Sequence, residues 1–128
     1  MSCYHRLGKL PVDVVLGNVG KHIKAFGKSI SVFSKRYRCY AEHGVKCVAC
    51  GIEGHYFAVE KHKTHETDKY HMNLYHKAED GHEVMMTIDH IIPLSKNGPD
   101  DISNLQTMCC QCNMKKADKC AEKLIAKP

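Results

Sequence analysis

The stretch Thr87-Ile88-Asp89-His90-Ile91-Ile92-Pro93-Leu94 sets an acid and a histidine side by side in an otherwise apolar run. Val84 to Ile92 is rich in β-branched and long apolar residues and stops at Pro93, so it reads as a strand. Neighbours on a strand point to opposite faces, so Asp89 and His90 can share a task only where the strand ends or bends. Pro93, three residues on, supplies such an end. A buried carboxylate without a partner is costly, so Asp89 is expected to face a cation, a hydrogen-bond cluster or water. The dipeptide alone reads first as a strand-end acid beside a surface histidine, and it is the rest of the chain that changes this reading.

Downstream come a polar loop, Asn97-Gly98-Pro99-Asp100-Asp101, then Asn104, a short stretch from Leu105 to Met108, and Cys109-Cys110-Gln111-Cys112-Asn113. Met114 to Ala126 reads as a Lys/Ala/Glu-rich helix. Upstream lies Cys47-Val48-Ala49-Cys50-Gly51, so two Cys-x2-Cys knuckles stand 58 residues apart. Four thiolates are the ligand count of a closed tetrahedral zinc site, which holds a fold together and leaves no open position for chemistry. Cys110 competes with Cys109, but only Cys109 keeps the two-residue gap to Cys112. Cys3, Cys39 and Cys120 have no partner at ligand spacing and read as buried or idle reduced thiols. The second knuckle opens the C-terminal helix and so places Asn113 near its first turn. An Asp89 carboxylate and an Asn113 amide oxygen offer hard ligands to a divalent cation such as Mg²⁺, which leaves His90 free to act as a base.

At 128 residues the chain suits one small domain with a modest core, which a metal staple would help. Its formal charge of +5 is unevenly spread. Residues 1–46 carry nine Lys/Arg against two acids, and residues 47–128 carry ten against twelve. The basic N-terminal third suits a polyanionic partner. No apolar run approaches membrane-spanning length and the N-terminus lacks the apolar region of a secretory signal, so a reducing cytoplasm is expected, with the cysteines as metal ligands or free thiols.

In that N-terminal third, Val12, Val15, Leu16, Val19, Ile23, Phe26, Ile30 and Phe33 recur mostly at intervals of three and four, which predicts two helices with a break near Gly27 to Ser29. Ser31 to His43 reads as a short basic helix ending at Gly44, with Lys35, Arg36 and Arg38 around Phe33, Tyr37 and Tyr40. This face is read either as a phosphate-contacting surface or as an ordinary solvated one. His55 to Glu60 and Tyr70 to Lys77 read as a hairpin, whose His55, His62, His65, His71 and His76 have spacings too irregular to define a metal site.

Asp89-His90-Ile91-Ile92-Pro93-Leu94, Gly98, Asn104-Leu105 and Cys109-x2-Cys112-Asn113-x2-Lys116, together with the first knuckle, resemble the HNH endonucleases, the zinc-stapled branch of the ββα-metal nucleases. The resemblance covers roughly Lys46 to Lys119. It implies an α+β fold with a ββα-metal core and a four-cysteine structural zinc at residues 46–128, preceded by a basic, mainly helical, DNA-contacting arm at residues 1–45. It also implies that His90 deprotonates the attacking water, that Asp89 and Asn113 hold the divalent metal, and that Asn104 fixes the loop and orients His90. Lys35, Arg36, Arg38 and Lys116 are the candidate DNA contacts. The third motif position is asparagine where the family name has histidine, a variant that suggests Mg²⁺ at the catalytic site and zinc only at Cys47, Cys50, Cys109 and Cys112. The expected activity is hydrolysis of DNA phosphodiester bonds. One site cuts one strand, so a double-strand break needs a homodimer or two successive nicks. A zinc-stapled DNA-binding module without catalysis and a junction-resolving nuclease are the alternatives. The small size resembles phage or mobile-element HNH proteins, homing endonucleases among them, which would place the chain in a bacterial host cytoplasm.

Overall fold

Alternating apolar residues at Phe57 and Val59, and at Met72 and Leu74, bury one face of a central hairpin, and most of the core is built on that face. The computed structural model describes residues 3–64 and 69–116. Expectations for His65, for Cys120 and for the helix beyond Lys116 lie outside those residues. The described elements are strand β1 (Tyr4–Pro11), helix α1 (Val12–Leu16), strands β2 (His22–Ala25) and β3 (Lys28–Ser31), helix α2 (Lys35–His43), strands β4 (Tyr56–His62), β5 (His71–Lys77), β6 (Glu83–His90) and β7 (Leu105–Cys109), and helix α3 (Cys110–Lys116). The chain is a small mixed α/β protein. Its main sheet has the order β1-β4-β5-β6-β7, all neighbours antiparallel, and β2 and β3 form a separate two-stranded ribbon. Val15, Ile23, Ile30, Val32, Tyr37 and Tyr40 pack from α1, the ribbon and α2 onto Phe57, Val59, Met72, Leu74, Val84 and Met86. No helix among the described residues is long and apolar enough to cross a membrane.

The expected mainly helical N-terminal arm is corrected. Among the described residues there, only Val12–Leu16 and Lys35–His43 are helical, and β1 joins the main sheet through seven residue pairs with β4. The apolar spacing that suggested helices has another cause. Ile23 and Ile30 are direct cross-strand partners, both buried, so their seven-residue separation is the length of a tight hairpin and not two helical turns. Phe26 and Gly27 form its turn, both at positive φ (53° and 73°), the pattern of a type I′ turn. Asn-Gly or Asp-Gly would have announced that turn; Phe-Gly does not. The Phe26 ring in turn lies over Gly8, where a Cβ would stand 2.3 Å from it.

β5 and β6 pair only from Tyr75 to Lys77, and beyond that point the strands part. α2 fills the gap. Tyr37 Oη accepts a hydrogen bond from the Met72 N–H (3.1 Å), and Arg36 donates to the Met72 carbonyl (2.6 Å) and the Asn73 side chain (3.1 Å). The exposed ladder edge of β5 is thus satisfied by side chains, as buried backbone groups require.

On the sheet face opposite the main core, Glu60 is completely buried. Its carboxylate accepts from Arg6 Nε (3.0 Å), Asn73 Nδ2 (2.8 Å) and the Tyr75 hydroxyl, and the Arg6 fork also grips Glu83 at 2.8 and 3.0 Å. Tyr56 donates to Glu83 as well. Burial pushes the Glu83 carboxyl up, but hydrogen bonds from Arg6 and Tyr56 outweigh it and leave the group below the usual carboxylate value. The network ties β1 to β4, β5 and β6, with the Arg6 guanidinium bridging its two carboxylates. Removing one partner of a buried pair leaves the other uncompensated. Arg6→Ala is therefore expected to lower stability by roughly 3–5 kcal/mol in urea unfolding. A loss below about 1 kcal/mol, the range of exposed pairs, would show that the network contributes little.

Candidate functional site

β6, β7 and α3 follow one another in space as in sequence, with β6 and β7 paired from Met86↔Cys109 to His90↔Leu105 and α3 packed against β6. Alternation along β6 sends Thr87 and Asp89 toward α3 and sends Ile88 and His90 to the other face, where Ile88 meets Cys39, Ile102 and Leu105. Asp89 and His90 do face apart, and the strand ends at His90.

Asp89 is 9% exposed and has found its cation inside the protein. Lys116 on α3 is completely buried, its Nζ standing 2.7 Å from Asp89 Oδ2 and donating at 2.7 Å to the His90 backbone carbonyl. Gln106 Nε2 adds a hydrogen bond to the same Oδ2 (3.1 Å). Lys116 therefore clasps the end of β6 to α3. One turn earlier Asn113 donates through Nδ2 to Thr87 Oγ1 (2.9 Å), which turns its amide oxygen away from that bond. Among the described residues no hydrogen bond engages Asp89 Oδ1 or Asn113 Oδ1, and the two side chains lie on the same side of β6. Two hard oxygens suit Mg²⁺ or a similar ion, with the Lys116 ammonium confined to the other carboxylate oxygen.

The loop after β6 is folded tightly over the strand end. Asn104 is 5% exposed, and its side chain accepts from the Ile92 N–H (3.0 Å) and donates to the carbonyls of Ile92 (3.0 Å) and Pro99 (2.7 Å), while its backbone carbonyl accepts from the Ile91 N–H (2.8 Å). A Cβ on Gly98 would lie 1.8 Å from the Ile92 carbonyl oxygen, so only glycine fits this close approach. Asn104 touches the loop and not the His90 ring. The ring meets Asp100 instead, with Nε2 and Oδ1 2.9 Å apart. Lys35 of α2 donates to Asp100 Oδ2 (2.7 Å) and to its backbone carbonyl (3.1 Å). Lys35, and then His90, hold the Asp100 carboxyl below its usual value, so it stays an acceptor. Sequence reading overlooked Asp100; an acid ten residues beyond the histidine, in a loop rich in turn residues, was the signal.

The four candidate DNA contacts separate by environment. Lys116 is buried and Lys35 is paired with Asp100, while Arg36 is committed to β5 and lies 5.2 Å over the Tyr37 ring. Arg38 is exposed, with no side-chain partner among the described residues, and lies one helical turn from Lys35 on the same side of α2.

The sulfurs of Cys47, Cys50, Cys109 and Cys112 all lie within 4.8 Å of one another. Cys50 and Cys109 are 3.8 Å apart, the edge of a tetrahedron with zinc–sulfur bonds of about 2.3 Å. The set excludes Cys110, as the spacing predicted. Burial pushes the Cys47 thiol up, but the backbone groups of Cys109, Cys50 and Ala49 outweigh it and bring it down to about 7. Burial raises the Cys109 and Cys112 thiols, and the neighbouring Cys47 pushes both further in the same direction.

Residues 76–119 match the family model described as HNH endonuclease, in keeping with the resemblance read from the residues. His90, Asn104, Cys109, Cys112, Asn113 and Lys116 fall inside that segment, whereas Cys47, Cys50 and Lys35 fall outside it. No curated protein and no solved structure matches the chain.

The cysteine cluster carries a direct test. Purified protein is expected to hold one thiolate-bound metal ion, and Cys50→Ser should abolish that stoichiometric binding and unfold or strongly destabilise the domain, because a structural metal supplies folding free energy on the order of 10 kcal/mol. Full metal content and unchanged melting in the variant would mean that these are not the ligands.

Proposed function

We propose that the protein is a metal-dependent endonuclease that hydrolyses DNA phosphodiester bonds, with β6, β7 and α3 forming the ββα unit that carries the chemistry. The observation that supports it best is the end of β6. There an acid and an asparagine amide gather on the α3 side, a histidine stands on the other, and a buried lysine locks the junction, all within the segment that matches the HNH endonuclease model.

In this reading Asp89 and Asn113 hold a divalent cation of the Mg²⁺ type, and zinc occupies only the four-cysteine site. Bound there, the cation supplies Lewis-acid stabilisation of charge developing on the phosphate and the leaving oxygen. The rest falls to the chain. His90 takes the proton of the attacking water, which needs only a neutral imidazole near the strand end. Lys116 balances Asp89 and fixes the His90 backbone, so that the acid and the base keep their separation. Asn104 holds the loop closed over the strand end.

Arg38, the exposed cation of α2 without a side-chain partner among the described residues, is the phosphate contact in this reading. The ribbon adds Lys21, Lys24 and Lys28 to the same basic third of the chain, of which Lys21 and Lys24 are exposed. Lys35, Arg36 and Lys116 act within the fold instead.

Nicking of supercoiled plasmid with Mg²⁺ tests the reading. His90→Ala should lower the rate by roughly 10²- to 10⁴-fold, the usual worth of a general base, while His82→Ala, in an exposed turn, should match wild type. Undiminished cleavage by His90→Ala would remove the assigned base, and a metal-loaded wild type that binds DNA but cuts no form of it would leave a binding module. For the grip, Arg38→Gln should reduce the slope of log affinity against log salt by about 1. An unchanged slope would take Arg38 out of the interface.

A further inference from the structure

Asp100 is an exposed acid, and Lys35 lies 65 residues before it in sequence, yet the two meet at the candidate base. His90 Nε2 stands 2.9 Å from Asp100 Oδ1, and Lys35 Nζ reaches both Asp100 Oδ2 and the Asp100 carbonyl. Asp100 is also held from behind, because Asn104 binds the carbonyl of Pro99, the residue just before it. His43 at the end of α2 contacts the Ile102 carbonyl (2.9 Å), which ties the helix to the same loop. Few exposed carboxylates are fixed at so many points.

We propose that Asp100 is the positioning residue of the active site: it orients the His90 ring and sets its tautomer, and Lys35 anchors it from α2. The inference rests on His90 being the base. An ionised carboxylate only accepts hydrogen bonds, so the ring nitrogen facing Asp100 must carry the hydrogen. Nε2 is then the N–H, and Nδ1 is the nitrogen left with a lone pair. During the reaction the proton of water goes to Nδ1, the Nε2–H stays on the ring and continues to face Asp100, and no proton passes to the acid. Lys35 prevents Asp100 from swinging into solvent, where a lone exposed pair with histidine would hold weakly. Asn104 acts one step further back, by fixing the loop that carries Asp100. The basic helix thus serves catalysis through a loop contact as well as through its charge.

The test is Asp100→Asn, read in two ways. An asparagine can donate to Nε2 and so favours the opposite tautomer while keeping the shape of the loop. In plasmid nicking kcat is expected to fall by at least roughly tenfold and by as much as about 10⁴-fold, the effect of an acid-to-amide change beside a general-base histidine, with KM and DNA affinity little changed. Asp100→Glu should recover part of the loss. Independently, ¹⁵N NMR of the imidazole, with the His90 signals assigned by their loss in His90→Gln, should show the Nε2–H tautomer in the wild type and lose that preference in Asp100→Asn. Unchanged kcat in Asp100→Asn beside an inactive His90→Ala would overturn the positioning role and leave the base standing. A rise in KM alone would overturn it too, making Asp100 a binding residue. Full activity of His90→Ala would sink the base itself. A wild type that cuts no DNA would sink the proposed function, and the tautomer measurement would still decide whether Asp100 governs the ring.

Discussion

The sulfurs of Cys47, Cys50, Cys109 and Cys112 lie within 4.8 Å of one another, a spacing that suits four ligands around one tetrahedral metal ion, and the cluster joins the loop before β4 to the start of α3. The two knuckles lie far apart in sequence, the first just before β4 and the second at the junction of β7 and α3. Drawing them together fixes where α3 begins. Once it is fixed, Asn113 falls beside Thr87 and Lys116 beside Asp89, because residues three apart on a helix share a side. The cysteine cluster does no chemistry of its own in the proposed mechanism, yet it sets the register of α3 against β6.

A second set of restraints acts on the other side of β6. The Asn97–Asn104 loop is closed by Asn104 and by the contact of Gly98 with the Ile92 carbonyl, and α2 leans on it through Lys35 and His43. His90 lies between these supports, at 27% side-chain exposure. Asp89 on one face is gripped by a buried ammonium, and His90 on the other by an exposed carboxylate. A strand end with two opposite faces allows that asymmetry, since neighbouring residues are kept in different surroundings.

Patterns local in sequence were legible. The hairpin of β4 and β5, the basic helix α2, β6 with its end near Pro93, the four cysteines and the exclusion of Cys110 all follow from spacing or residue type, and the structure has them. The N-terminal strands were not legible. Ile23 and Ile30 mimic a helical period, and a Phe-Gly turn lacks the residues that mark a hairpin. Contacts that jump along the chain were also invisible. Asp89 was expected to need a cation, hydrogen bonds or water, but nothing in the sequence said that Lys116 would be buried to provide it. Lys35 and Arg36, adjacent and both basic, look interchangeable as letters, whereas one meets Asp100 and the other closes the gap beside β5. Charge counts show that cations are available, and only the fold shows which are already engaged.

The segment that carries the family's signature is not a self-sufficient unit in this chain. Half of the cysteine set, most of β5, the strand that pairs with β6, and the lysine that steadies Asp100 all enter from residues before position 76. Excised and grafted onto another scaffold, residues 76–119 would keep their recognisable letters and lose two sulfurs, a sheet partner and a brace. The motif is portable as a pattern, while the working part is distributed over the whole protein.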